Sequence, residues 1–269
     1  MTRPVVIKLG GALLDEPHAH AAAFDALAAC VRGTPAVLVH GGGKAVDRQL
    51  QQLGLVSEKR EGIRLTPPEH MDQITGVLAG QMNARLVGLL LARGVKAVGL
   101  TLGDGCITAA RTTTRYAFDA GRVGEVTGGD MHLLHTLLKA GFVPVLSSIA
   151  IDAHGDTLNM NADEAAAAIA RLLPASRLAL LTDVPGVKDA AGRVMSSLDA
   201  ARCHSMIDSG EITGGMIVKV RGALEAAEAA RVPVLVAGWG NPDNLSRLAE
   251  ADAPGTHFLP ASNPEPARA

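Results

Sequence analysis

Aromatic residues are scarce in this sequence: they make up 2% of 269 residues, with one Trp and one Tyr. Proteins that bind single-stranded nucleic acid use aromatic side chains as stacking surfaces. The formal net charge is −2, so no basic field is present to attract a polyanion or an anionic membrane. The composition therefore excludes nucleic acid and a membrane surface as expected partners.

Cysteine is also scarce, and the three residues Cys30, Cys106 and Cys203 are widely separated and form no CxxC motif. An odd number of isolated cysteines argues against a disulfide framework and a zinc site, and it suits a reducing compartment. No uninterrupted apolar run approaches 18 residues, and the start lacks the pattern of a signal peptide. We therefore expect a cytoplasmic protein without a protein-bound metal.

The first informative stretch is VVIKLGG at residues 5–11, an apolar run that contains Lys8 and ends in glycines. Such a run is typical of a strand that enters a tight turn. Because the run does not alternate, both faces should be buried, as in a parallel sheet covered by helices. Lys8 would point its ammonium at whatever the turn holds; the alternative is a lysine that snorkels to water at a sheet edge.

A second strand, AVLVH at residues 36–40, leads into three glycines at 41–43 and a helix that begins near Lys44. This arrangement points backbone N–H groups and a helix N-terminus at an anion, and glycine lets the backbone approach closely. The loop does not have the spacing of a Walker A motif. One such turn is a weak signal, but two that end the first two strands favour an anion site.

Polar residues that suit a ligand occur in two further segments. Arg64, in a predicted hairpin over residues 57–66, suits bidentate binding of a carboxylate, although an ordinary exposed arginine is the alternative. Asn159, Asn161 and Asp163 alternate just before a helix predicted at 164–173, so they should share one face of an extended segment. Helix capping explains one of these three, not all.

The remaining pattern alternates strands with helices, which predicts parallel βαβ crossovers. Residues 213–215, Thr-Gly-Gly, precede a helix that carries Lys219, a second helix start with a lysine beside it.

The tail at 260–269 should be disordered. The pattern predicts helices at 19–32, 67–93 with a possible break at 76–80, 129–140, 197–209 and 216–230, strands at 95–100, 142–147, 177–182 and 232–237, and a short edge strand at 256–259.

Six motifs in this order and spacing resemble the amino acid kinase family, and within it the acetylglutamate kinases. The resemblance covers about residues 4 to 259. It implies a three-layer αβα sandwich on one open, mainly parallel sheet. It also implies two lobes, with residues 1–174 binding the amino-acid substrate and forming the dimer, and 175–259 binding ATP. The motifs are KLGG at 8–11, HGGG at 40–43, GIRLT at 62–66, NMNAD at 159–163, LLTDVPGV at 180–187 and TGGMIVKV at 213–220.

The resemblance implies transfer of the γ-phosphoryl group of ATP to the side-chain carboxylate of N-acetyl-L-glutamate, the second step of arginine biosynthesis. Magnesium is expected to travel on the ATP phosphates, without a protein ligand that we can name. A carboxylate is already a nucleophile, so the protein must chiefly neutralise charge and align the reacting oxygens.

Roles for single residues follow from that chemistry together with the resemblance. Lys8 and Lys219 should neutralise the transferring phosphoryl group and the leaving β-phosphate, and Asp163 should sit between the two lysines and hold them. Backbone N–H groups of Gly11, Gly42 and Gly43 should bind phosphoryl or substrate oxygens. Arg64 should take the α-carboxylate, and Asn159 and Asn161 should bind the acceptor. The residues expected to line the nucleotide are Asp183, Val184, Pro185, Gly186, Val187, Lys188, Glu211, Ile212 and Thr213.

One departure from the family concerns assembly. Members inhibited by arginine carry a helix before the first strand, and here the strand begins near Pro4, so we expect a homodimer without arginine feedback through such a helix. Lys44 is expected to be a surface residue. Two alternatives stay open: a kinase for N-acetyl-2-aminoadipate in lysine biosynthesis, and a non-catalytic family member that binds a nucleotide or an amino acid. Retention of Lys8, Asp163 and Lys219 argues against the second.

Overall fold

The computed structural model describes residues 2–16, 19–189 and 191–260. Its centre is one sheet of eight strands, parallel throughout except for the pair β13–β14. The mainly parallel α/β class predicted from the sequence is therefore confirmed. In spatial order the strands are β12 (Ser197–Leu198), β14 (Thr256–Phe258), β13 (Val234–Gly238), β11 (Arg177–Thr182), β1 (Val5–Leu9), β2 (Ala36–His40), β8 (Val143–Ser147) and β5 (Ala97–Thr101).

Three antiparallel pairs stand outside the main sheet. One of them confirms the hairpin predicted over residues 57–66, and the other two lie around residues 154–155 and within the segment 106–128. The pairs are β3 (Lys59–Arg60) with β4 (Ile63–Arg64), β6 (Ala109–Thr112) with β7 (Gly124–Gly128), and β9 (Ile149–Ile151) with β10 (Thr157–Asn159).

Helices cover both faces of the sheet, so the described residues form three layers. A 3₁₀ turn at Pro68–His70 and a π-helical stretch at Gly76–Met82 join α4 and α5 into one helical run. The helices are α1 (Gly11–Asp15), α2 (Ala21–Gly33), α3 (Gly43–Gln52), α4 (Met71–Thr75), α5 (Asn83–Leu91), α6 (His132–Lys139), α7 (Ala162–Leu172), α8 (Ala200–Asp208), α9 (Gly215–Ala230) and α10 (Pro242–Ser246).

Alternate residues of the central strand β1 enter two separate cores. Ile7 and Leu9 pack with α2, α3, α5 and α10 on one face, and Val6 packs with α7, α8 and α9 on the other. Side chains alternate along a strand, so Lys8 lies on the same face as Val6. Lys8 pairs in register with Leu180 of β11 and Val39 of β2, which places it in the middle of the sheet.

Three predictions differ from the structure by more than a shift of an element's ends. The possible break at 76–80 is a π-helical stretch that continues the helix. The predicted helix at 197–209 begins at Ala200, because Asp199 caps it and Ser197–Leu198 pairs with β14 as a strand. For the same reason, β14 is second from the edge of the sheet. Apart from Pro260, the predicted disordered tail lies outside the described residues.

One helical run, Pro68–Leu91, is long and apolar enough to cross a membrane by length and composition. In this structure it packs on the sheet: Ile74, Leu86 and Leu90 are fully buried in the core on the side of α2. Its apolar face is therefore used by the fold itself.

Candidate active site

An open cleft of about 1700 Å³ lies at the carboxyl ends of β1 and β11, on the face covered by α7 and α9. Parallel α/β sheets bind ligands at this edge, outside the carboxyl ends of the strands. Of the residues predicted from the sequence, the cleft brings together Lys8, Asn161, Asp163, Asp183 and Lys219. The site thus gathers residues from distant parts of the chain.

Lys8 is held by an aspartate at the start of α7. The Nζ atom of Lys8 lies 2.9 Å from Oδ1 of Asp163, and the lysine side chain is 16% exposed. Asn161 caps α7: its Oδ1 accepts from the backbone N–H of Asp163 at 2.8 Å and of Glu164 at 3.3 Å. The cap satisfies the first turn of the helix and leaves the carboxylate of Asp163 for the lysine.

The expected common face of Asn159, Asn161 and Asp163 is not what the structure shows. The extended segment ends at the cap Asn161, and Asp163 already belongs to the first turn of α7. The three side chains have different partners: a threonine hydroxyl, a helix N-terminus and a lysine. The prediction that capping explains only one of the three is confirmed, with Asn161 as the cap.

Lys219 has a different partner from the one predicted. It donates to Oδ1 of Asp183, the residue that follows β11, while Asp163 pairs with Lys8. The expectation that Asp163 sits between both lysines is therefore corrected for this structure. The reason is packing: α9 lies against β11 and β13, which brings Lys219 next to the end of β11. The hydrogen bonds from Lys219 and from the hydroxyl of Thr182 lower the pKa of Asp183.

The second glycine turn lies between α7 and the π-helical stretch. A Cβ atom on Gly42 would lie 2.9 Å from Cδ2 of Leu78, so a larger residue cannot stand there without a shift. A Cβ on Gly41 would lie 3.2 Å from Cβ of Ala162, which shows how close the turn comes to α7. Helix α3 begins at Gly43, as predicted within one residue, and Gly11 begins α1.

Arg64 is already paired inside the protein. Its side chain is only 9% exposed, and it donates to the carbonyl of Gly43 at 2.9 Å, to the carboxylate of Asp47 and to the hydroxyl of Ser57. Burial raises the pKa of Asp47, but hydrogen bonds from Arg64, Ser57 and Lys59 outweigh it and hold that pKa well below its usual range. The alternative of an ordinary exposed arginine is therefore wrong.

Asn159 joins the same network. Its Nδ2 donates to Oγ1 of Thr66 at 3.0 Å, and that hydroxyl donates to the carbonyl of Arg64 at 2.9 Å. Thr66 is fully buried. The structure thus connects Gly43, Arg64 and Asn159, which the sequence analysis assigned to the acceptor on separate grounds.

The predicted nucleotide segments contribute fewer side chains than expected. Val187 and Ile212 are 1% and 2% exposed and belong to the core below α9, so their side chains do not face a ligand. The N–H of Val187 donates to Oγ1 of Thr256 at 2.9 Å, which anchors this loop to β14. Among the predicted nucleotide residues, Asp183 is the one that lines the cleft described above.

One wall of the cleft consists of residues that were not predicted from the sequence, on the β6–β7 hairpin and in the loop after β6. Arg111, Arg115, Tyr116 and Glu125 line it. Glu125 accepts from Nε of Arg111 at 2.8 Å, and this hydrogen bond lowers the pKa of Glu125. Arg115 pairs with Glu164 of α7. Arg111 and Arg115 stand in the run RTTTR at residues 111–115, which has no alternation of polar and apolar residues to mark a strand.

Comparison with known proteins identifies close relatives. A family model described as "Amino acid kinase family" matches residues 3–238. Acetylglutamate kinase from Colwellia psychrerythraea is 43% identical over 258 residues, which cover 96% of this chain and 97% of that protein. Acetylglutamate kinase from Pectobacterium atrosepticum is 44% identical and covers 95% of this chain and 99% of its own length.

Solved structures agree with the fold. The protein smu.665 from Streptococcus mutans superposes with a TM-score of 0.71 at 28% identity, covering 96% of this chain and 99% of that one. N-acetylglutamate synthase from Neisseria gonorrhoeae gives a TM-score of 0.78 at 22% identity over 97% of this chain and 60% of that chain, a likeness in fold alone. Together with the lysine–aspartate pairs in the cleft, these findings establish that the chain belongs to the amino acid kinase family.

Proposed function

We propose that this protein transfers the γ-phosphoryl group of ATP to the side-chain carboxylate of N-acetyl-L-glutamate, giving N-acetyl-L-glutamyl 5-phosphate, the second step of arginine biosynthesis. The observation that carries the proposal is the cleft with two lysine–aspartate pairs, Lys8–Asp163 and Lys219–Asp183, in one cavity. Two relatives named acetylglutamate kinase, 43% and 44% identical over nearly the whole chain, support the choice of acceptor.

The two lysines meet the main chemical demand of the reaction. Both reactants are anions, and the attacking carboxylate needs no general base, so charge neutralisation and alignment dominate. Lys8 neutralises the transferring phosphoryl group, and Lys219 neutralises the charge that develops on the leaving β-phosphate. Such preorganised charges stabilise a transition state more than its ground state. Asp163 holds the ammonium of Lys8 in position through the 2.9 Å contact.

The acceptor lies, in this proposal, between the second glycine turn and the hydrogen-bonded group of Arg64, Thr66 and Asn159. Backbone N–H groups of Gly11, Gly42 and Gly43 bind oxygens of the acceptor or of the phosphoryl group. Arg64 takes the α-carboxylate, Asn159 helps to fix the acetylated end, and Asn161 also binds the acceptor. The contact of Arg64 with the carbonyl of Gly43 supports a shared site for these groups.

The nucleotide lies over residues 175–259, and residues 1–174 hold the acceptor. Val184, Pro185, Gly186 and Lys188 follow Asp183 at the carboxyl end of β11, and Glu211 and Thr213 precede α9. Val187 and Ile212 support these segments from the core. Within the described residues, no group of three or more His, Cys, Asp or Glu side chains is placed to hold a metal ion. Magnesium bound to the phosphates supplies charge neutralisation there, and the donor set of the cleft, lysines above all, fits phosphate oxygens.

A cytoplasmic homodimer remains our prediction for the assembled protein. Chromatography with light scattering measures the mass of the assembly, and twice 27.6 kDa is the expected result.

Trapping of the acyl phosphate with hydroxylamine tests the proposed function. The assay contains ATP and magnesium, with N-acetyl-L-glutamate, N-acetyl-2-aminoadipate, free glutamate or aspartate as acceptor. We expect a strong signal with N-acetyl-L-glutamate alone. Preference for the aminoadipate compound would keep the mechanism and change the pathway. No signal with any acceptor, despite nucleotide binding, would favour the non-catalytic alternative.

A further inference from the structure

Two consecutive residues of the long helical run lie beside the second glycine turn and the strand residue before it, on the face of the sheet opposite to Lys8. Met82 is the last residue of the π-helical stretch. A Cβ atom added to Gly42 would lie 3.2 Å from Cγ of Met82. Asn83, the next residue, is 4% exposed and lies against His40, which is fully buried. π-Helical stretches often occur at functional sites because they change which side chains face a neighbour.

The hydrogen bonds of Asn83 and His40 fix a single arrangement. Nδ2 of Asn83 donates to the carbonyl of Val145 at 2.9 Å and to Nε2 of His40 at 3.1 Å. A carbonyl only accepts, so the amide nitrogen must face Val145, and Nε2 of the histidine must then be the acceptor. The ring proton therefore resides on Nδ1, which donates to the carbonyl of Gly41 at 3.0 Å.

This donation orients a peptide group at the site. In a trans peptide the C=O and the following N–H point in opposite directions. His40 shares a face of β2 with Leu38, in the core of α2 and α5, whereas Val39 faces the core of α7. When the carbonyl of Gly41 is drawn toward His40, the N–H of Gly42 points toward the face of Lys8 and α7.

We propose that Asn83 and His40 are positioning residues that hold the Gly41–Gly42 peptide so that the Gly42 N–H faces the reacting oxygens, an inference that rests on the proposed function of this site. Neither side chain touches substrate. Both act through the peptide, and the π-helical stretch brings Asn83 to His40 while Leu78 and Met82 pack on Gly42.

Two further observations support this role. A Cβ on Gly99 would lie 2.0 Å from Oδ1 of Asn83, so the neighbouring strand β5 leaves space for the amide and for nothing larger. Burial also lowers the pKa of His40, which keeps the ring neutral and its single proton on Nδ1. Asn83 and Gly99 stand outside the six motifs identified in the sequence, whereas His40 belongs to one of them, HGGG at 40–43.

Substitutions that remove or retain the donor to Gly41 test the proposal. Asn83→Leu and His40→Leu remove the hydrogen bonds, and Gly99→Ala pushes on Asn83 from a position outside the site. His40→Asn retains an N–H near the position of Nδ1. Leu86→Ala, in the fully buried next turn of the same helix, is the matched control for loss of stability. Steady-state kinetics of each variant are measured with ATP and N-acetyl-L-glutamate.

We expect Asn83→Leu, His40→Leu and Gly99→Ala to lower kcat about tenfold or more, since loss of one such donor costs up to about 10²–10³-fold. The KM for ATP should stay within about twofold, and His40→Asn and Leu86→Ala should keep kcat within about threefold. A kcat of Asn83→Leu within twofold of the wild type, or equal losses in His40→Asn and His40→Leu, would overturn the proposal.

A crystal structure of Asn83→Leu separates this inference from the proposed function. The Gly41–Gly42 peptide should be rotated or occupy two orientations; an unchanged peptide would overturn the positioning role. If the wild type phosphorylates no acceptor, the proposed function fails on its own, and the orientation of this peptide still decides whether Asn83 and His40 hold it.

Discussion

The two lysine–aspartate pairs of the cleft have the same chemistry but different supports. Lys8 lies on β1, between two hydrogen-bonded neighbours, and its side chain is 16% exposed. Lys219 lies on α9, is 35% exposed, and pairs with an aspartate that is 60% exposed at the end of a strand. A lysine fixed by a strand ladder on both sides has its charge in place before substrates bind. A lysine on a helix beside a loop can exchange its partner.

This difference indicates how the site changes when the nucleotide binds. We expect Lys219 to leave Asp183 and to contact phosphate oxygens, because phosphate offers more acceptors and more charge than one exposed carboxylate. Lys8 should keep its contact with Asp163 throughout. The Lys8–Asp163 pair would then persist through turnover, and the Lys219–Asp183 pair would be present only before the nucleotide binds.

The largest effect should come from the strand lysine. Lys8→Ala should lower kcat about 10²-fold or more with little change in KM, because the charge acts mainly on the transition state. Lys8→Arg should not restore activity, since a planar fork does not replace a compact ammonium. Hydroxylamine trapping measures both. Exposed Lys139→Ala is the control, and a kcat of Lys8→Ala within threefold of the wild type would remove the proposed role.

Replacing the aspartate of each pair by asparagine should lower kcat to different extents. Asp163→Asn should lower kcat about tenfold, because Lys8 keeps its charge but loses the group that positions it. Asp183→Asn should change kcat by no more than about threefold, since its contact with Lys219 is expected to be given up during turnover. The measurement is steady-state kinetics of both variants under one condition. Equal losses in the two variants would mean that the pairs have the same role.

Substitution of Arg64, at the proposed acceptor site, should change the KM for the acceptor, whereas substitution of Lys8 should change kcat. Arg64→Leu should raise the KM for N-acetyl-L-glutamate about tenfold and leave the KM for ATP within about twofold, because a hydrogen-bonded charge is worth roughly 1.5–3 kcal/mol. Arg60→Leu, from the same hairpin, is the control. A change confined to the KM for ATP would contradict the assignment of Arg64 to the acceptor.

The smallest effect concerns stability in acid. The hydrogen bond from Lys219 lowers the pKa of Asp183, so this pair stabilises the fold at pH values above about 3.9, the ordinary aspartate pKa, and the stabilisation is lost as the pH falls below it. The pair is largely exposed, so its contribution should be a few tenths of a kcal/mol. Urea unfolding of the wild type and Asp183→Asn should differ slightly at pH 6, and the difference should shrink as the pH is lowered towards 3.

The main sheet could be predicted from the sequence because its strands are marked locally. Runs such as AVLVH and RLALLT are apolar, end in polar or glycine residues and match β2 and β11 residue for residue. The glycine turns and the two lysines are marked in the same way, by residue types that suit an anion. A local sequence pattern was enough to predict an element wherever one short segment determines both the type of the element and its place in the chain.

Partner choice could not be predicted, because it depends on packing between distant segments. Lys219 and Asp183 meet because α9 packs on β11, and no spacing in the sequence reports that contact. The network of Arg64 with Asp47 also joins elements that are separate in sequence. The wall formed by Arg111 and Arg115 was not predicted because β6 has only four residues and the run at residues 111–115 is polar throughout, without regular alternation.

The central position of β1 has a consequence for how the protein reaches its native state. The first strand of the chain pairs with β2 nearby and with β11, where Val5 lies beside Arg177. Closing so long a stretch of chain is slow compared with local pairing, so the second ladder forms late in folding. Synthesis therefore delivers Lys8 well before β11 and α9, and its surroundings are complete only when those two elements have been made. A chain cut before β11 retains the lysine without the site that gives it a role.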